Sequence, residues 1–200
     1  MQLANRTSMS VAGAAAVLGG WLGAMSLSCA AVEPGPSPTG DVVSGSWQHR
    51  KVTFNYYGIT ALYTCDGLET HVRQILLHIG ARHDINVTAT GCPGGSSTPS
   101  HNAWVTADFY SLVPAAGPDE SGTVKARWSP MMVTPQQPYF MGDGDCELIQ
   151  EMKDLITQNF TLRDIKYSTE CVPRQLYPDA FAVRGQALKA LPVKPGAVKG

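Results

Sequence analysis

The chain has 200 residues, 44% of them apolar and 16% charged, with a formal net charge of −1. That composition is globular, enough for one domain with tails. The charge balance lacks the basic excess that holds nucleic acid and gives no electrostatic grip on an anionic membrane.

Residues 1–31 have the order of a secretory signal peptide: Arg6, then an apolar run from Val11 to Leu27, then small residues at Ser28, Ala30 and Ala31. The run is shorter than the roughly 20 apolar residues that cross a bilayer, so no membrane span is expected in the mature chain. Cys29 leaves two fates open. Ser28 suits the position before a lipid-modified cysteine, but Ser26 stands where such signals carry a leucine-like residue. Cleavage after Ala30 or Ala31 discards Cys29; acylation of Cys29 would leave a lipid anchor.

Residues 32–46, rich in Pro, Gly and Ser, read as a flexible linker. A single domain is then expected over 47–184. Val52, Phe54 and Tyr56 alternate with polar residues, which predicts a strand at 51–57. Leu68, Val72, Ile75, Leu76 and Ile79 follow helical spacing, with Asp66 at the N-cap position and Gly80 at the C-cap, so 67–79 reads as a helix. Ile85, Val87 and Ala89 predict a strand at 84–90, followed by a loop at 93–101. Segments 104–112 and 122–128 read as a hairpin, within 102–128, turning at 114–122. A second helix over about 147–159, capped by Asp145, carries Leu148, Met152, Leu155 and Ile156. A strand over 163–171 follows, and 185–200 reads as a poorly ordered tail.

Four cysteines remain after signal removal. An even number in an exported chain reads as two disulfides. Chain geometry chooses the pairing. A 13-residue helix rises about 20 Å, and a return strand of seven residues covers about 23 Å. The path goes out and comes back, so Cys92 should end near Cys65, and Cys171 near Cys146. The bonded pairs would be 27 and 25 residues apart, worth roughly 3–4 kcal/mol each by loop closure. The units 51–92 and 146–171 share the order Cys, helix, Asp-Ile, strand, Cys, which leaves duplication and independent βαβ units both open. The expected fold is α+β: an antiparallel-rich sheet with two helices on one face, in a ferredoxin-like or split βαβ arrangement.

Residues that carry chemistry are sparse. No cofactor or metal is expected. His71 and His78 lie about 10 Å apart along their helix, too far for one ion, and His49, His83 and His101 are scattered. Residues 143–154 place acids on a calcium-loop template, but Leu148 occupies the glycine position. Asp66 beside His71 is the one pairing that suggests acid–base work, with no nucleophile identifiable. Phe54, Tyr56, Tyr57, Trp104 and Tyr110 could line a groove. Met131, Met132 and Met141 fall in a proline-rich segment, where adjacent methionines on a strand would face opposite sides.

The stretch Phe54–Arg82, with Tyr56-Tyr57-Gly58, Cys65-Asp66-Gly67-Leu68 and Gly80-Ala81-Arg82, resembles a group of uncharacterised exported proteins of Gram-negative bacteria. The resemblance covers about 40–120 and implies a compartment rather than a reaction. The reading is a periplasmic or secreted, disulfide-stapled domain with a non-catalytic binding or envelope-associated role, its partner an envelope protein or small ligand. The alternatives are an exported hydrolase using Asp66, His71 and loop residues, and a chain lipid-anchored through Cys29.

Overall fold

The computed structural model describes residues 41–93, 97–117 and 122–192. The signal segment with Cys29, the linker up to residue 40 and the tail from residue 193 lie outside the described residues.

The elements are β1 (Val42–Tyr57), α1 (Cys65–Ile79), β2 (Asn86–Thr90), β3 (Asn102–Pro114), β4 (Val124–Val133), α2 (Cys146–Asn159), β5 (Leu162–Thr169) and β6 (Phe181–Ala190). The strands form one sheet in the order β2-β3-β1-β4-β6-β5, antiparallel at every pairing. β1 and β2 therefore run parallel with β3 between them, and β4 and β5 run parallel with β6 between them. The split βαβ arrangement occurs twice. Leu68, Val72 and Ile75 of α1 and Ile149, Met152 and Ile156 of α2 join the inward side chains of the sheet in one core, so both helices cover the same face.

Both disulfides form as the path geometry requires. Cys65–Cys92 and Cys146–Cys171 have Cα separations of 6.0 and 5.6 Å, inside the range a disulfide spans. Each ties the first residue of a helix to the chain just beyond the return strand. Two disulfides mark a chain that folds in an oxidising, non-cytoplasmic compartment. Among the described residues no helix is long and apolar enough to cross a membrane.

The topology answers the question of duplication. The chain is two copies of a βαββ unit, and the copies align at a separation of 81 positions. Val43 and Val124, Trp47 and Trp128, Val52 and Val133, Cys65 and Cys146, and Arg82 and Arg163 all correspond. The β1–β4 register is symmetric about Ser44↔Lys125, which are themselves equivalent positions. Each helix ends against the other copy. His78 in the last turn of α1 places Nε2 2.9 Å from the Met132 carbonyl, and Lys189 Nζ donates to the His78 carbonyl at 2.6 Å. Beyond α2, Phe160 stacks on Phe109 at 5.4 Å and Thr161 Oγ1 donates to the Leu112 carbonyl.

Four expectations need correction. The linker ends earlier than 46, because β1 begins at Val42. Gly45 lies where an added Cβ would sit 3.2 Å from Leu112 Cδ2, so its glycine serves close packing, not flexibility. The tail likewise begins later than 185, since 181–190 is the central strand of the second copy. Gly185 there faces Ile165, whose Cδ1 would be 2.4 Å from an added Cβ. The 102–128 segment is no hairpin, because β1 lies between β3 and β4; the sequential antiparallel pairs are β2–β3 and β5–β6. Finally, α1 starts at Cys65 and its cap is Thr64, whose Oγ1 accepts the Gly67 N–H at 2.9 Å. Asp66 sits exposed in the first turn, where the helix dipole favours an acid.

Candidate binding face

The sheet covers one of its faces with helices and leaves the other outward. On β1 and β3 the outward register pairs are Trp47↔Leu112, His49↔Tyr110, Lys51↔Asp108, Thr53↔Thr106, Asn55↔Trp104 and Tyr57↔Asn102. Trp104 and Tyr57 are 57% and 56% exposed and stand diagonally across the two strands. The Thr53 and Thr106 hydroxyls bond at 3.1 Å, and His49 Nε2 lies 2.7 Å from Asp108 Oδ1. Opposite Trp104, the buried Oδ1 of Asn55 has no hydrogen-bond donor.

On the second copy the outward pairs are Trp128↔Leu188, Met132↔Arg184, Lys166↔Arg184 and Arg163↔Gln186. The Arg163 guanidinium lies 4.5 Å over the Trp128 ring and donates twice to Gln186 Oε1. The equivalent Arg82 lies 3.7 Å over Tyr110 and 5.8 Å from Trp47, and its other partner is Asp84. Where the copies join, Leu112, Ala126 and Leu188 are buried under Val43, Trp47, Val124 and Trp128. These two tryptophans close a small outward core, and each carries an arginine of its own copy.

The expected aromatic set divides between the faces. Tyr56 is fully buried, donating its hydroxyl to the Ala61 carbonyl at 2.6 Å, and Phe54 packs against the core. Burial, with the Glu147 and Asp145 charges nearby, pushes the Tyr56 phenol well above its ordinary range. Only Tyr57 and Trp104 stand free, while Tyr110 lies under Arg82. Met131 and Met141 are buried and Met132 is exposed, the opposite facing that adjacent strand residues impose.

Asp66 and His71 are not brought together. The acid facing His71 is Asp145, at the cap position of the other helix, with Oδ1 4.0 Å from His71 Nε2. Asp145 does not cap α2 with its side chain. Its Oδ2 instead accepts the Gly142 N–H at 2.7 Å. Burial raises this carboxyl from 3.8 to about 6, against the Gly142 bond. His71 Nδ1 lies 3.0 Å from the Gly67 carbonyl, and Tyr63 and Phe140 flank the ring at 5.0 and 5.7 Å. Among the described residues no Ser, Thr or Cys bonds to His71, so the pair can hold a proton but has no nucleophile to activate.

The acids of the calcium template point to different tasks. Glu147 accepts the N–H groups of Ile59 and Thr60 and the Thr60 hydroxyl, while Asp145 faces His71. Among the described residues no group of three His, Cys, Asp or Glu side chains is placed to hold a metal.

No family model, no curated protein and no solved structure matches the chain. A function therefore rests on the residues themselves. The pairing of the outward cations Lys166 and Arg184 is not visible in the sequence, because they are 18 positions apart and meet only in the β5–β6 register. The His71–Asp145 contact is not visible there either, because the partners lie on different copies.

Proposed function

We propose that this is an exported, disulfide-stapled binding domain, periplasmic or secreted, that acts without catalysis through the outward face of its sheet. The observation that carries the reading is a contrast between two surfaces. Trp104 and Tyr57 stand free over a field of threonines and asparagines, a surface able to stack and hydrogen-bond a partner. Of the two His–carboxylate pairs among the described residues, His71–Asp145 faces inward, with Asp145 6% exposed, and His49–Asp108 is an exposed contact on the sheet face; neither has a Ser, Thr or Cys bonded to its imidazole. The Asp66–His71 hydrolase has lost its geometry, and His71–Asp145 supplies only an acid.

The test is cosedimentation of the mature protein with a Gram-negative envelope fraction. Trp104→Ala combined with Tyr57→Ala is expected to leave the protein in the supernatant, while Asp145→Asn sediments like wild type. Equal sedimentation of all three proteins overturns the reading. The intact mass of envelope-derived protein separates a chain starting at Ala31 or Val32 from one acylated at Cys29.

A further inference from the structure

On the outward face of the second copy, Lys166 and Arg184 are directly opposite in the β5–β6 register. Both are exposed. Like charges so placed repel and destabilise the strand pair. Among the described residues neither side chain has an acid in ion-pair range or a hydrogen-bond partner. One step along the register, Arg163 is fixed by Trp128 and Gln186, which continues the row of cations. Beside Arg184 opens a cleft of about 600 Å³ lined by Met132, Thr134, Gln136, Gln137 and Asp179. Asp179 shares the cleft without pairing to Arg184.

We propose that this row, Arg163–Lys166–Arg184, with the cleft beside it, binds an acidic polysaccharide. The inference goes beyond the binding-face reading: it adds a second site on the same outward face, apart from Trp104 and Tyr57. Charge complementarity favours a polyanion, since three cations stand together on two adjacent strands, and the acids near them in the chain, Asp164, Glu170 and Asp179, form no ion pair with them among the described residues. The amides of Gln136, Gln137 and Gln186 and the Thr134 hydroxyl suit sugar hydroxyls. A single-stranded nucleic acid fits poorly, because it needs free rings for its bases. No exposed aromatic side chain stands on β4, β5 or β6, and Arg163 covers Trp128. A membrane surface fits poorly too, since Met132 is the one large apolar side chain exposed on these strands.

Affinity electrophoresis of the mature protein in native gels tests this. Polygalacturonate in the gel is expected to retard the wild type in a salt-sensitive way, while dextran has no effect. Lys166→Ser with Arg184→Ser should weaken retardation by about tenfold or more, and Arg73→Ser, which removes an exposed cation from α1 on the other face, should leave it unchanged. Intact disulfides and an unchanged circular dichroism spectrum confirm that the double variant is folded. Lys166→Arg, a second variant that keeps the charge, should retain binding. Absence of retardation, equal retardation by dextran, or tighter binding to oligo-dT overturns the proposal. If envelope cosedimentation still depends on Trp104 and Tyr57, the binding-face reading survives that failure; if neither variant affects any binding, both fall.

Discussion

Asp145 shows how burial sets a side chain's chemistry. In the unfolded chain its carboxyl titrates near 3.8, and in the fold near about 6. The folded state holds the proton more tightly, so the stability from this group is fully present below about pH 4 and is lost as pH rises through about 6. The full swing is about 3 kcal/mol. Asp145→Asn should therefore be more stable than wild type at pH 7.5 and show a flatter stability–pH profile between pH 4 and 7, measured by urea unfolding. Glu147 acts through hydrogen bonds, accepting from Ile59 N–H, Thr60 N–H and the Thr60 hydroxyl. Glu147→Ala should cost about 2 kcal/mol, because it leaves two backbone N–H groups without an acceptor, and hydrogen exchange at Ile59 and Thr60 should speed up. The sequence showed the residue types of this region but not their partners. Asp66 was paired with His71 because they are neighbours along the helix, whereas the fold brings in an acid from the second copy.

At the scale of elements, periodicity located the long amphipathic segments and missed those whose inward residues are small. The stripes of α1 and α2 were legible because large apolar residues recur at helical spacing. The two cysteine pairs were legible because a helix and a return strand of matched length leave one closure open. β6 is not legible, since the inward Gly185 and Ala187 give no alternation of size. Its glycine is a packing requirement. Gly185→Val should destabilise by more than about 2 kcal/mol through overpacking against Ile165 and the Arg163 carbonyl, and should lower the thermal midpoint without changing either disulfide. Replacing Cys146 and Cys171 together with serine should cost about 3 kcal/mol, and the Cys65/Cys92 pair about as much, read from denaturant midpoints under non-reducing conditions. The edge strands are also shaped by what they must avoid. β2 is short, and β5 carries a register break between Arg163 and Lys166, so neither presents a long regular edge to another chain.

At the scale of the whole molecule, the two copies do not have separate cores. Side chains from both helices and from both halves of the sheet form one cluster, and each helix ends on strands of the other copy. A fragment spanning 41–117 should therefore remain unfolded by circular dichroism even with Cys65 and Cys92 oxidised, because α1 loses the β4 and β6 surface that receives its last turn. The repeat was half visible in the sequence. The bracketing cysteines showed it, but the matching Val–Trp strands did not stand out, because the first opened inside an apparent linker. The symmetric β1–β4 register also bears on how chains can combine. The copies are joined covalently only through residues 115–123, and every contact between them could be made equally well by copies from two different molecules. Shortening that connection should yield a dimer with exchanged halves, eluting at twice the monomer mass, with each disulfide still closed within its own chain.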